Sequence, residues 1–349
     1  MSASARALRA DSRLPPPEVV DLARQLVAGR DGQARLLVRE RLKRSVYRLR
    51  FEIFAGRASV VVKRLSPRTA RANELVARRW LPAVDLERAC PELRGVVHER
   101  SGSNVWHIYA DVGGSALDHS PLDPARVVPV VELIVDLHTR FAGHALLPQL
   151  RKHGGERGIG YFGEHVARSI DALESIGSLR PGLSGQQAEL RDRLLARVER
   201  LHEEQDERAS LLEQHGGPDT LLHGDLWPSN ALVARRDDGF QATLVDWDRV
   251  GMGPVTYDLS TFLYRLAPEH RDWILELYRD AAARRGWQLP DDSTLNVLCE
   301  TAESARYACN LGDAALAATR GEWWGFPMME EIERWFADLE PVLALDGAR

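Results

Sequence analysis

Asp225 and Asn230, in LLHGDLWPSNALV, and Asp246, in ATLVDWDRVGMGPVTYDLSTFL, are the side chains of this 349-residue chain whose types and spacing best suit chemistry on phosphate. The first two lie five residues apart in a loop that feeds one strand of an expected hairpin, and Asp246 ends the partner strand. All three should therefore converge at the hairpin base. Carboxylate and amide oxygens suit magnesium, a hard cation that fills its remaining positions with phosphate oxygens. A further carboxylate can orient an incoming hydroxyl and accept its proton.

The elements that must position these groups follow from hydrophobic period. Two short β-like runs, 230–234 and 242–247, form the hairpin around a turn at Arg236-Asp237-Asp238-Gly239. PPPEVVDLARQLVA reads as an amphipathic helix opened by Pro17 and closed near Gly29. RLLVRERL, SVYRLRFEIF and ASVVVKRL alternate or cluster in β-branched runs, with Ala55-Gly56-Arg57 as a turn, and predict three antiparallel strands. TARANELVARRWL is helical in spacing, and VVHERSGSNVWHIYADV supplies two more strands joined at Ser101-Gly102-Ser103-Asn104. Beyond Gly113-Gly114 the pattern is mainly helical, including ARVVPVVELIVDLHTRFAGHAL and a helix over about 186–214 with Leu190, Leu194, Val198 and Leu201 on one face. The expected fold is α+β: residues 1–112 form a small antiparallel β lobe, and residues 113–349 form a larger, mainly helical lobe that carries the hairpin.

HGDLWPSN resembles the H-x-D-x-x-x-x-N catalytic loop of the aminoglycoside phosphotransferase and choline kinase superfamily, relatives of protein kinases, and its Leu-Trp pair is similar to fructosamine kinases. VDWD resembles the metal-binding segment that replaces the protein-kinase D-F-G, and GPVTYDLS is similar to the G-x-P-x-x-D-L-[AS] stretch that follows it. The resemblance spans roughly Leu37 to Leu266. It implies a protein-kinase-like bilobal fold in which Asp225 positions the acceptor hydroxyl and Asn230 and Asp246 hold magnesium against the phosphates of ATP or GTP. By the same resemblance Asp258 braces the catalytic loop. His223 packs within that loop, and Asp248 either joins the metal shell or pairs with a local arginine such as Arg249.

A phosphate clamp needs a cation at a fixed strand position and a carboxylate to hold it. Lys63 ends SVVVK where the superfamily keeps its phosphate-binding lysine, and Glu74 falls in the following helix where the partner glutamate belongs. WHIYADVGG resembles the hinge, so backbone groups from Ala110 to Val112 should meet the adenine edge. Val61, Leu232 and Val245 read equally as walls for the base and as ordinary core. The phosphate-covering turn should fall in ERLKRSVYRLRF, which contains no glycine. Ser45 there could hydrogen-bond a phosphate and Arg44 or Arg48 could add charge, and a plain β-turn fits as well.

A net charge of −5 argues against a phosphate-backbone binder and for a cationic or neutral substrate. The basic residues are nearly all arginine, with Lys43, Lys63 and Lys152 the only lysines. Cys90, Cys299 and Cys309 are too scattered for a disulfide framework or a zinc site. No apolar run approaches the ~18 residues that span a bilayer, and the opening MSASARALRADSRLPPP lacks a hydrophobic signal core, so a cytoplasmic protein without membrane or nucleic-acid partners is expected. A protein kinase would need an A-P-E-like motif after Asp246, and a hydrolase built on His223, Asp225, Asp246 and Asp248 would need a second histidine set. The expected activity is transfer of a γ-phosphoryl group to a small polar, amino-bearing acceptor, such as an aminoglycoside-like antibiotic or amino sugar. Alternatives are a fructosamine- or choline-type metabolite kinase and a nucleotide-binding regulator without turnover. The acceptor should lie against the helical lobe, where Asp171, Glu174, Glu303, Asp313, Glu322, Trp323, Trp324 and Glu330 are candidates.

Overall fold

Alternating apolar residues through 34–65 build the meander that starts the fold. A computed structural model describes residues 14–29, 32–117, 122–179, 182–237 and 239–344. Strands β1 (Ala34–Lys43), β2 (Val46–Ile53) and β3 (Gly56–Leu65) pair antiparallel in succession. With β4 (Leu93–His98) and β5 (Val105–Ala110) they form a five-stranded sheet in the order β1-β2-β3-β5-β4. Because side chains alternate along a strand, Leu49, Phe51, Val60, Val62, Trp106 and Ile108 fill one face. Helix α1 (Pro17–Ala28) covers that face with Val19, Val20 and Ala23. The opposite face then carries Arg48, Val61, Lys63 and Tyr109, which all line one cavity.

After β3, Ser66 caps helix α2 (Pro67–Leu75) by accepting from the Thr69 amide at 3.2 Å, and Pro67 occupies the first helical position. The helix continues as a π turn over Val76–Trp80. The expected hairpin is present as β8 (Ala231–Arg236) and β9 (Gly239–Leu244), and the two-residue strand β6 (Ser115–Ala116) pairs with β8 to make a three-stranded sheet. Asp238 of the expected turn lies outside the described residues. Gly114 has a φ of 78°, and a Cβ there would sit 2.4 Å from the Val233 carbonyl oxygen, so only glycine permits this approach beside β8.

Helices α3 (Pro124–Phe141), α4 (Leu147–Gly154), α5 (Ile159–Leu179), α6 (Gly185–Glu203) and α7 (Gln205–His215) follow. Strands β7 (Thr220–Leu222) and β10 (Gly251–Gly253) pair with each other, and the chain closes with α8 (Thr256–Tyr264), α9 (Pro268–Arg284), α10 (Asp292–Thr319) and α11 (Gly325–Ala337). The single helix expected over 186–214 is divided at Glu204. The next segment buries Arg208 against Glu204, Glu300 and the Thr301 hydroxyl, and one continuous amphipathic stripe would not provide that placement. Helix α10 is the centre of this region, packed against α5, α8 and α11, with small residues such as Ala305, Ala308, Ala314, Ala315 and Ala318 buried in its core. No helix among the described residues is long and apolar enough to cross a membrane.

The chain divides into two compact units, residues 1–133 with 229–250, and residues 134–228 with 251–349. These units cut the chain elsewhere than an expected break between Val112 and Gly113. The physical reason is pairing: β6 joins β8, and carboxylates after β9 bond to Lys63 on β3, which ties the hairpin to the first unit.

Candidate active site

In the first unit, a cavity of about 270 Å³ opens on the sheet face opposite α1. Its lining joins Val61 and Lys63 of β3, the Ala110–Gly114 stretch after β5, and Leu232, Val245, Asp246 and Trp247 from the hairpin. The polar end is an ionic cluster. Lys63 Nζ donates to Asp246 Oδ1 at 2.5 Å and to Asp248 Oδ1 at 2.6 Å, and Lys43 Nζ donates to Asp246 Oδ2 at 3.0 Å. Burial alone would raise the Asp246 pKa, but the Lys63 and then the Lys43 ammonium override it and hold the carboxyl at about 2. Asp246 is therefore an anion at neutral pH. Its backbone sits in the left-handed region at φ 71°, ψ 51°, a conformation that costs an L-residue energy and is tolerated best by Asn and Asp.

Elsewhere the lining is largely apolar, with Val76, Ala77 and Pro91 beside the Ala110–Gly114 stretch. Asp111, which follows β5, does not face solvent freely: Arg48 Nε lies 2.8 Å from it, and the Ser59 hydroxyl donates to it at 2.7 Å. Arg236 Nη2 donates to the Val112 carbonyl at 3.0 Å. These bonds fix the strand exit where a base edge would need a fixed donor and acceptor.

In the second unit, the loop after β7 is built around a buried carboxylate. Asp258, fully buried on α8, accepts the His223 amide at 2.7 Å and the Gly224 amide at 2.9 Å, with His138 Nε2 3.5 Å away. Burial pushes its pKa up, and the His138 hydrogen bond and neighbouring donors bring it below the usual carboxylate range. Gly224 holds φ 79°, which turns the chain so that both amides face Asp258. The Trp227 indole Nε1 donates to Asp225 Oδ1 at 2.8 Å, and the Arg265 guanidinium stacks 4.7 Å from the Trp227 ring. Arg265 in turn bonds Glu303, which also accepts from Arg306, and Arg306 Nη1 donates to the Gly224 carbonyl at 3.3 Å. One buried ionic network thus supports both the backbone of the loop and the residue beside Asp225.

The profile of the Phosphotransferase enzyme family (APH) matches residues 38–291, most of the chain. The chain belongs to that family. Among solved structures, the phosphotransferase is similar to spectinomycin phosphotransferase in complex with ADP and spectinomycin, at 12% identity over 89% of this chain and 91% of that one, with a TM-score of 0.55. It is also similar to Plasmodium vivax ethanolamine kinase, at 13% identity over 96% and 86% of the two chains, with a TM-score of 0.53. At these identities the likeness establishes the protein-kinase-like α+β fold. No curated protein sequence shows a significant match.

In this phosphotransferase the structure gathers Lys63, Ala110, Val112, Leu232, Val245 and Asp246 around one cavity, and places Asn230, buried, where its carbonyl accepts the Val245 amide at 2.8 Å. Asp225 sits in the second unit, on the loop held by Asp258. Glu74 does not meet Lys63. It pairs with Arg71 and Arg78, and the residue of α2 that reaches the ionic cluster is Asn73, whose Nδ2 lies 3.3 Å from Asp248 Oδ1. The reason is helical register: Ala70, Asn73 and Val76 share the inward stripe, and Glu74 is turned 100° away. Ser45 lies in the β1–β2 turn, where its carbonyl accepts the Arg64 amide at 2.9 Å, and it does not line the cavity. Asp248 bonds Lys63 and Asn73. Glu303 is fully buried between two arginines, which removes it from the acceptor-facing candidates, and Asp313 pairs with Arg168 at 2.5 Å.

Proposed function

We propose that this phosphotransferase moves the γ-phosphoryl group of a magnesium-bound nucleoside triphosphate, with ATP the first candidate, onto a hydroxyl of a small amino-bearing molecule in the cytoplasm. The observation that carries the reading is the ionic cluster at one end of a mainly apolar cavity. A buried ammonium facing two carboxylates supplies both charges that a metal–polyphosphate pair requires. The apolar end, backed by Val61, Leu232 and Val245, suits a base, and the braced Ala110–Val112 backbone supplies its hydrogen bonds.

The donor set fits magnesium: Asp246 is ionised, Asn230 adds an amide oxygen, and Asp248 is a second carboxylate in the same cluster. The metal would neutralise charge on the phosphates. Lys63 would orient the phosphate chain. Asp225, held by the Trp227 indole, would align the acceptor hydroxyl and take its proton. Related folds crystallised with ADP and spectinomycin, and the ethanolamine kinase, support acceptors that carry both amino and hydroxyl groups. The net charge of −5 favours such acceptors.

The test is a screen of aminoglycosides, other antibiotics, amino sugars, fructosamines and amino alcohols for acceptor-dependent release of nucleoside diphosphate, with the phosphorylated product identified by mass. Acceptor-dependent release that stops when magnesium is chelated is expected. Saturable nucleotide binding without turnover across the whole panel would instead select the regulator reading.

A further inference from the structure

Two of the chain's three lysines meet at one carboxylate. Lys43 ends β1, immediately before the Arg44-Ser45 turn, and its register is telling. Lys43 lies opposite Val46 on β2, and Val46 lies opposite Lys63 on β3. Residues directly opposite across antiparallel strands leave the same face of the sheet. Lys43, Val46 and Lys63 therefore form one row, and all three line the cavity. Lys63 reaches Asp246 Oδ1 from the cavity floor with its side chain nearly buried, and Lys43 reaches Oδ2 from the rim with its side chain 60% exposed. Arg41 steadies this rim by donating to the carbonyls of Lys43 and Arg44, each at 3.2 Å.

In a glycine-rich tip, backbone amides approach phosphate closely because no Cβ intervenes. The tip here has no glycine, and a cation reaches over the cavity in its place. We propose that Lys43 is a second phosphate-binding cation, so that a nucleoside polyphosphate is bracketed by Lys63 below and Lys43 above. The inference rests on the nucleotide-binding reading of this cavity and adds to it the means by which a glycine-free tip holds phosphate. A carboxylate that satisfies two ammonium groups offers the same anionic oxygens as a phosphate, so the pair is already arranged for such a ligand.

The experiment is calorimetric titration of the intact protein with a non-hydrolysable magnesium–nucleoside triphosphate and with the matching nucleoside. Lys43→Met should weaken the triphosphate by about 3- to 10-fold, the range for a charge-assisted contact at a half-exposed site, and leave the nucleoside unchanged. Lys43→Arg should keep most of the affinity. Lys152→Met removes the same charge from exposed α4 and should have no effect. Wild-type triphosphate affinity in Lys43→Met, or equal losses for triphosphate and nucleoside, would overturn the inference. A wild-type protein that binds the nucleoside and triphosphate not at all would instead overturn the nucleotide reading beneath it.

Discussion

Asp225→Asn should lower phosphoryl transfer by about 10²–10⁴-fold, the usual worth of a positioned general base, while nucleotide affinity stays near the wild-type value. Asparagine keeps a carbonyl oxygen where the Trp227 indole donates at 2.8 Å, so the loop retains its side-chain contact and loses only the ability to accept a proton. The separation is informative because Asp225 belongs to the second compact unit and the cavity that holds Lys63 and Asp246 to the first. Steady-state rates together with a direct binding measurement check it. Unchanged turnover would remove Asp225 from the chemistry, and a matched loss of nucleotide binding would show that the substitution acts elsewhere.

Asp258→Ala should have the largest effect on stability. Its carboxylate satisfies two buried amides, those of His223 and Gly224, and stands beside the buried His138 ring. An orphaned buried donor costs about 1–3 kcal/mol, so two of them should lower unfolding stability by about 2–6 kcal/mol. Urea denaturation reads this as a lower midpoint at unchanged slope. Turnover at low temperature, where the variant stays folded, should fall as well, because the backbone that aims Asp225 loses its anchor. A variant as stable as the wild type would contradict the role given to Asp258.

Most of the architecture was legible because long elements announce themselves through period. The alternation in SVYRLRFEIF and ASVVVKRL specifies which face Lys63 occupies, and the five-stranded sheet places it there. Strands β6, β7 and β10 have only two or three residues each and no period to detect, so they emerge only once their partners are in place. The HGDLWPSN loop is legible as a motif because the chemistry proposed for it depends on residue types at fixed spacing. Its support was not visible: Arg265, Glu303 and Arg306 are far along the chain, and ion pairing between distant helices leaves no local pattern. The resemblance assigns Glu74 as the partner of Lys63, whereas the apolar neighbours at Ala70 and Val76 mark the stripe to which Asn73 belongs. Lys43 could be noticed as one of three lysines, but its reach to Asp246 spans 203 positions and depends on the register of two strand pairs.

Equilibrium titration with a non-hydrolysable nucleoside triphosphate, with and without magnesium, in the wild type and in Asp246→Ala, tests the account most directly. Binding that magnesium tightens in the wild type and leaves unchanged in Asp246→Ala is the predicted result. A wild-type affinity indifferent to magnesium, or a full magnesium effect that survives in Asp246→Ala, would contradict it.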